Sequence, residues 1–212
     1  IGQYLRFSKN IVLANGKLDA ILGNGNYHLE GCTLENLSIS NLHTGGGTGI
    51  FSCTINNVVF DNCTSEDSCV FLIRSSTLEN VNFTNCHALK PADPAEQNFE
   101  TGVMIVTYYS NYNNCNFINC SSNRHSGAIC VAGEKGNAVN ITNCNFDNCT
   151  SGVGGAIYLH GTGLSETLHS NVINCTFTNC HATEWGGAIG SSQDFLNVEN
   201  CEFINNTAKQ GA

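Results

Sequence analysis

The chain has 212 residues with 17 Asp plus Glu against eight Lys plus Arg, a net charge of −9 at neutral pH. A surface of that sign repels phosphate backbones and anionic lipid faces, which argues against nucleic-acid partners and polybasic membrane attachment, and no run approaches the roughly 18 apolar residues of a membrane-spanning helix. Only 12% of residues are charged while 22 are Gly and 13 are Cys, which points to turns and regular β surface rather than to helices.

Residues 1–30 carry apolar alternation at Asn10-Ile11-Val12-Leu13 and Ala20-Ile21-Leu22 but lack the repeat that follows. They are expected to form a divergent first coil or an N-terminal cap. From residue 31 onward one phrase recurs. An aromatic or Leu is followed two residues later by Asn at Leu34/Asn36, Phe60/Asn62, Phe83/Asn85, Phe117/Asn119, Phe146/Asn148, Phe177/Asn179 and Phe203/Asn205, at intervals of 23 to 34 residues. Self-similarity at this period marks stacked supersecondary units. Two positions before the aromatic stand Cys32, Val58, Val81, Cys115, Cys144, Cys175 and Cys201. After the Asn stand Leu37, Cys63, Cys86, Cys120, Cys149, Cys180 and Asn206.

In Cys144-Asn145-Phe146-Asp147-Asn148 the apolar residues fall on every second position, the period of a strand with one buried face. A second strand is predicted at 127–131, 155–159 and 187–189, with looser versions at 69–73 and 102–106. A third lies just upstream of the phrase at 139–141 and 195–198. Three short strands per turn, an Asn corner and no helical periodicity predict an all-β fold, a right-handed parallel β-helix of about seven to eight coils. Asn tolerates the left-handed backbone of a sharp bend. Asn side chains stacked one coil apart, about 4.8 Å, can bond up and down the ladder, their amides expected to point inward.

The pairing of F-x-N-[NC] with a downstream G-G-A-I, complete at Gly154-Gly155-Ala156-Ile157 and Gly186-Gly187-Ala188-Ile189, resembles the repeat of chlamydial polymorphic outer-membrane proteins. It is also similar to the adhesin-like β-helix proteins of methanogen and some protist surfaces. The resemblance spans residues 31–212 and implies a secreted, surface-displayed passenger used in adhesion, with no catalytic residue to carry over. Gly211-Ala212 stands where another G-G-A-I strand is expected to begin, so the repeat domain 31–212 is expected to be truncated within its last repeat. The start at Ile1, without Met or a signal-like segment, suggests a processed or excised piece.

Thirteen cysteines is an odd number, so one thiol at least lacks a partner within a monomer. One reading is a secreted disulfide framework; the other is a ladder of buried thiols acting as small hydrophobes. Cysteines one coil apart have parallel Cβ vectors about 4.8 Å apart, longer than the roughly 3.8 Å a disulfide prefers, which favours thiols. Cys53, Cys69 and Cys130, outside the columns, are then the better disulfide candidates. No C-x-x-C or paired-His spacing points to zinc, and no metal or cofactor is expected. Sequons at Asn36, Asn62, Asn119, Asn148, Asn174 and Asn205 belong to the ladder, whereas Asn82 and Asn140 fall on outward strand positions and are the glycan acceptors expected if the host glycosylates.

Solenoids place function on long loops or on one strand face. The widest interval holds both prolines and the acids Asp93, Glu96 and Glu100 with Phe99, followed by Tyr108, Tyr109 and Tyr112. Aromatic platforms beside acidic acceptors suit a carbohydrate or protein ligand; the plainer alternative is a solvated loop over an ordinary strand. His87 and His181 each follow a column Cys and are expected at one corner, and Trp185 is expected to pack in a turn. Catalysis on a polysaccharide needs either clustered carboxylates at matched strand positions or an acid cluster for Ca²⁺ beside a basic Arg or Lys. Glu35 and Asp61 fall one coil apart, but no Lys or Arg aligns with them, so an enzyme is not expected. The leading expectation is a non-catalytic extracellular or cell-surface adhesin segment that binds a surface protein or glycan. Head-to-tail stacking into a fibre through the helix ends is the alternative, and a polysaccharide-active enzyme is the minor one.

Overall fold

A computed structural model describes residues 6–8, 11–19, 27–67, 69–90, 102–131, 138–161, 164–165 and 167–211. Among these, all regular structure is β. Every strand pairs in parallel with its equivalent in the next coil, giving sheets of eight, thirteen and seven strands. The fold is a parallel β-helix. Sheet I holds the G-A-I strands, such as Ile129–Val131, Ile157–Leu159 and Ile189–Ser191. Sheet II holds the phrase and the strand upstream of it, joined as Thr33–Ser40 and Thr54–Asp61 and split later into pairs such as Val139–Thr142 and Asn145–Asp147. Sheet III holds short strands such as Thr64–Ser65, His87–Ala88 and Ser121–Ser122. Val12–Asp19 pairs in register with Thr33–Ser40 from Val12↔Thr33 to Asp19↔Ser40, so these residues extend sheet II.

From Thr33 onward each coil bends sheet II at two asparagines five residues apart. Asn57 and Asn62, Asn114 and Asn119, and Asn143 and Asn148 all have φ between 52° and 55°. The register corrects the first repeat of the sequence alignment. Leu34 pairs with Ile55, and it is Ile39 that pairs with Phe60. Leu34/Asn36 therefore belongs to the first Asn bend and Ile39/Asn41 to the second. Two similar bends per coil make a five-residue slip easy. Cys32 and Cys53 consequently share one corner, where the Cys32 N–H donates to Cys53 Sγ at 3.4 Å; Cys53 is a column residue.

Phe60, Phe83, Phe117, Phe146, Phe177 and Phe203 form one continuous stack with centroids 4.8–5.1 Å apart and planes within 6°. The Phe rings are buried except Phe203 on the last coil, which is 51% exposed. Parallel pairing in register forces this stacking, because each inward position repeats directly above itself.

The bends interrupt the ladder of backbone bonds, and the corner side chains repair it. The Cys120 thiol lies 3.6 Å from both the Phe83 and Ile118 carbonyls, and Cys149 lies 3.6 Å from Phe117 O and 3.8 Å from Asp147 O. Asn206 occupies the equivalent place with an amide that donates to Phe177 O at 2.9 Å while accepting from the Cys180 N–H at 2.9 Å. Ser76 does the same at the third corner, donating to Arg74 O at 2.8 Å and Ile50 O at 3.3 Å. The cysteine columns are thus hydrogen-bonding columns as well as apolar ones, interchangeable with Ser or Asn because all three offer a short donor that can also accept.

The ladder asparagines do bond coil to coil: Asn62 to Asn41 at 2.7 Å, Asn119 to Asn85 at 2.6 Å and Asn148 to Asn119 at 3.2 Å. Asn85 and Asn179 donate instead to Asp61 and Asp147, at 3.1 and 3.4 Å. Their side chains, however, lie on the outside: Asn62, Asn119, Asn148, Asn179 and Asn205 are exposed and Asn85 is half-buried. The inward expectation fails because a left-handed residue turns its own Cβ out of the bend, while the following Cys or Asn faces in.

Candidate ligand-binding site

The chain leaves sheet I for sheet II through a short corner. Glu30-Gly31-Cys32-Thr33, Phe51-Ser52-Cys53-Thr54 and Arg74-Ser75-Ser76-Thr77 each use one left-handed residue, Gly31, Ser52 or Ser75, followed by the bonding Cys or Ser. In the next coil Thr107 pairs with Arg74 and Asn111 pairs with Thr77. One extra residue therefore stands between them, and the corner reads Tyr108-Tyr109-Ser110. Ser110 keeps the bonding role, accepting from the Ser76 N–H at 3.3 Å. Tyr108 takes the left-handed position at φ 65°, where a bulky residue costs about 1–2 kcal/mol. The insertion re-aims side chains as a bulge does, and Tyr108 and Tyr109 end 53% and 43% exposed.

Neighbouring coils complete the patch. The Arg74 guanidinium lies 4.9 Å from the Phe51 ring centroid and 5.9 Å from that of Tyr108, a cation between two aromatic faces. His28 meets the Phe51 ring edge-on at 4.6 Å. On the other side the Asn140 amide donates to the Tyr109 hydroxyl. The aromatic faces and the guanidinium lie together in one patch.

Of the residues expected from sequence, Tyr108 and Tyr109 lie together here. Asp93, Glu96, Phe99 and Glu100 lie outside the described residues. Tyr112 does not join the patch. It pairs with Leu78 and Ile141 along the inward row of sheet II and is fully buried, because the one-residue insertion ends before it and strand alternation turns it into the core. Its hydroxyl has no hydrogen-bond partner among the described residues, and burial pushes the phenol well above its ordinary pKa. Tyr112→Phe removes an unsatisfied buried hydroxyl without changing shape, so it is expected to raise stability by about 1 kcal/mol. The check is the urea midpoint at constant m-value; a lower midpoint would mean that the hydroxyl bonds an internal water.

Asn140, expected as a glycan acceptor, is half-buried with its amide nitrogen committed to Tyr109 and to Asn111 Oδ1 at 3.1 Å. Asn82 accepts from Asn116 at 2.7 Å. Glu35 and Asp61 are not stacked: Glu35 pairs with Asn56, and Asp61 with Ser40 and Thr84, so they occupy different outward rows. His87 and His181 lie on sheet III, bonding Ser121 and Thr207 at 2.7 Å each. Trp185 packs edge-on against Tyr158 at 5.7 Å, in a second apolar cluster that includes Cys69 and Cys130.

Sequence reasoning found the tyrosines but missed Arg74, Phe51 and Asn140. The missed signal was the extra residue between Thr107 and Asn111, readable only once the corners are aligned. No protein-family model matches the chain, and no curated protein matches it.

Proposed function

We propose that this β-helix is a non-catalytic, extracellular adhesive module that holds its ligand at the Tyr108-Tyr109 bulge. The observation that carries the reading is the inserted tyrosine. A corner built in the three preceding coils from Gly or Ser instead bears two exposed aromatics, one of them in a strained backbone conformation, and strain of that kind collects at functional sites. Exposed Tyr beside Arg is the chemistry of binding hot spots. An oxidising exterior is compatible with the cysteines, since twelve of the thirteen are buried and buried sulfur is inert. Beads coated with the protein are expected to bind eukaryotic or microbial cell surfaces, and the Tyr108→Ala/Tyr109→Ala double variant to lose about tenfold in retention, equivalent to about 1.4 kcal/mol. Equal retention by the folded double variant would remove the site from the reading.

A further inference from the structure

Beyond Val12, Thr33 and Thr54, the outward row of sheet II passes the tyrosines as a stretch with no charge and no apolar side chain. It runs Thr77, Asn111, Asn140, Asn171 and Asn197, paired coil to coil. Asn140 donates to Asn111 at 3.1 Å, Asn171 to Asn140 at 2.8 Å and Asn197 to Asn171 at 3.4 Å. An amide has two N–H donors and two acceptor lone pairs. Among the described residues the ladder uses one of each at Asn171, leaving one donor and one acceptor of its amide for a ligand, whereas Asn140 engages both N–H groups and keeps acceptor capacity. Tyr109 is tied to this row through the Asn140 amide, so the exposed aromatic faces and the amide row form one continuous strip along the helix axis.

We propose that this strip binds a neutral linear glycan lying along the helix axis. The inference rests on the ligand-binding reading above and names the ligand class. A sugar ring presents an apolar face, which an exposed Tyr ring covers. Its neighbouring hydroxyls each donate and accept, matching the paired donor and acceptor of a ladder amide. A repeating ligand suits a repeating row, and amides already held by their neighbours lose little freedom on binding. The absence of charge in the row and the net charge of −9 disfavour uronate and sulfated chains. A protein partner would need a desolvated apolar centre, which the row lacks.

The test is an NMR titration of the isotope-labelled protein with cellohexaose, xylohexaose and chitohexaose, and with hexagalacturonate as the charged comparison. At least one neutral hexasaccharide is expected to bind, with shifts confined to Tyr109, Asn111, Asn140 and Asn171. Tyr109→Ala and the isosteric Asn171→Asp are each expected to weaken it about tenfold, with thermal melting confirming that both variants fold. Shifts from none of the neutral sugars, or from hexagalacturonate alone, would overturn the proposal. Cell-surface retention that depends on the tyrosines without any neutral-sugar binding would likewise overturn it, while leaving the adhesive reading in place with a protein ligand.

Discussion

Phe146→Ala is expected to cost about 3–5 kcal/mol, the range for deleting a large aromatic from a rigid core. Phe146 is fully buried and stacks on Phe117 at 4.9 Å and Phe177 at 4.8 Å, so its loss removes two ring contacts worth about 0.5–1.5 kcal/mol each beyond burial. The cavity cannot collapse easily, because the strands on either side are fixed in register by their neighbours. Phe203→Ala supplies the internal comparison: among the described residues its ring stacks on one aromatic partner, Phe177, and it is 51% exposed, so its cost is expected to fall below about 1.5 kcal/mol. In a solenoid, stability is a sum of coil and nearest-neighbour terms, so the central variant is also expected to split the denaturation curve into two transitions. Urea melts followed by fluorescence and circular dichroism read both effects. A cost below 1 kcal/mol at Phe146 would contradict the stacked inward column.

The fold was legible because its determinants are local and repeated. The Phe column, the second strand at 157–159 and the left-handed Asn bends follow from alternation and from the backbone tolerance of Asn. The register of the first coils was not legible. Two Asn bends five residues apart look alike in a single sequence, and Ile39 in place of Phe hides the correct member of the column. The direction of the Asn side chains was misread for a related reason: left-handed geometry, not the polarity of the amide, decides which way a bend residue faces.

The site was half legible. Tyr108 and Tyr109 stand out in sequence because a tyrosine cluster lies within the widest interval of the repeat, Phe83 to Phe117. Tyr112 was wrongly grouped with them, since sequence proximity ignores the alternation that buries every second strand residue. Arg74 meets Phe51 on one side and Tyr108 on the other only because successive coils place corner residues one above another, a relation that exists across 23 to 34 residues of chain and appears only after the register is known.

The thiol columns predict a steep alkaline transition. Hydrogen bonding with the Cys120 thiol and burial push Cys86 well above the ordinary thiol pKa of 9.0, and burial first, then bonding to the thiol of the next coil, does so for Cys120 and Cys149. A group whose pKa is raised by folding contributes stability that is complete below the unfolded pKa and is lost as pH rises above it, because the unfolded chain releases protons that the folded chain retains. Each such thiol removes about 1.4 kcal/mol per pH unit, so three together remove about 4 kcal/mol per unit, against a total stability of about 5–15 kcal/mol. Cys175 and Cys180 are shifted down by bonds with the thiols of Cys144 and Cys149. Their stabilising effect is complete once the unfolded thiol has ionised, so it leaves the slope above pH 9 unchanged. Cooperative unfolding is therefore expected within about one to four units above pH 9. Tyr112 adds to it above the ordinary tyrosine pKa of 10.0, a contribution that Tyr112→Phe isolates. Cys120→Ser with Cys149→Ser keeps a short donor in the place that Ser76 and Ser110 fill at another corner but removes two titrating groups. The double variant is expected to move the alkaline midpoint upward even if it lowers stability at pH 7. An unmoved midpoint would assign alkaline unfolding to lysine and tyrosine ionisation and leave the buried thiols as packing alone.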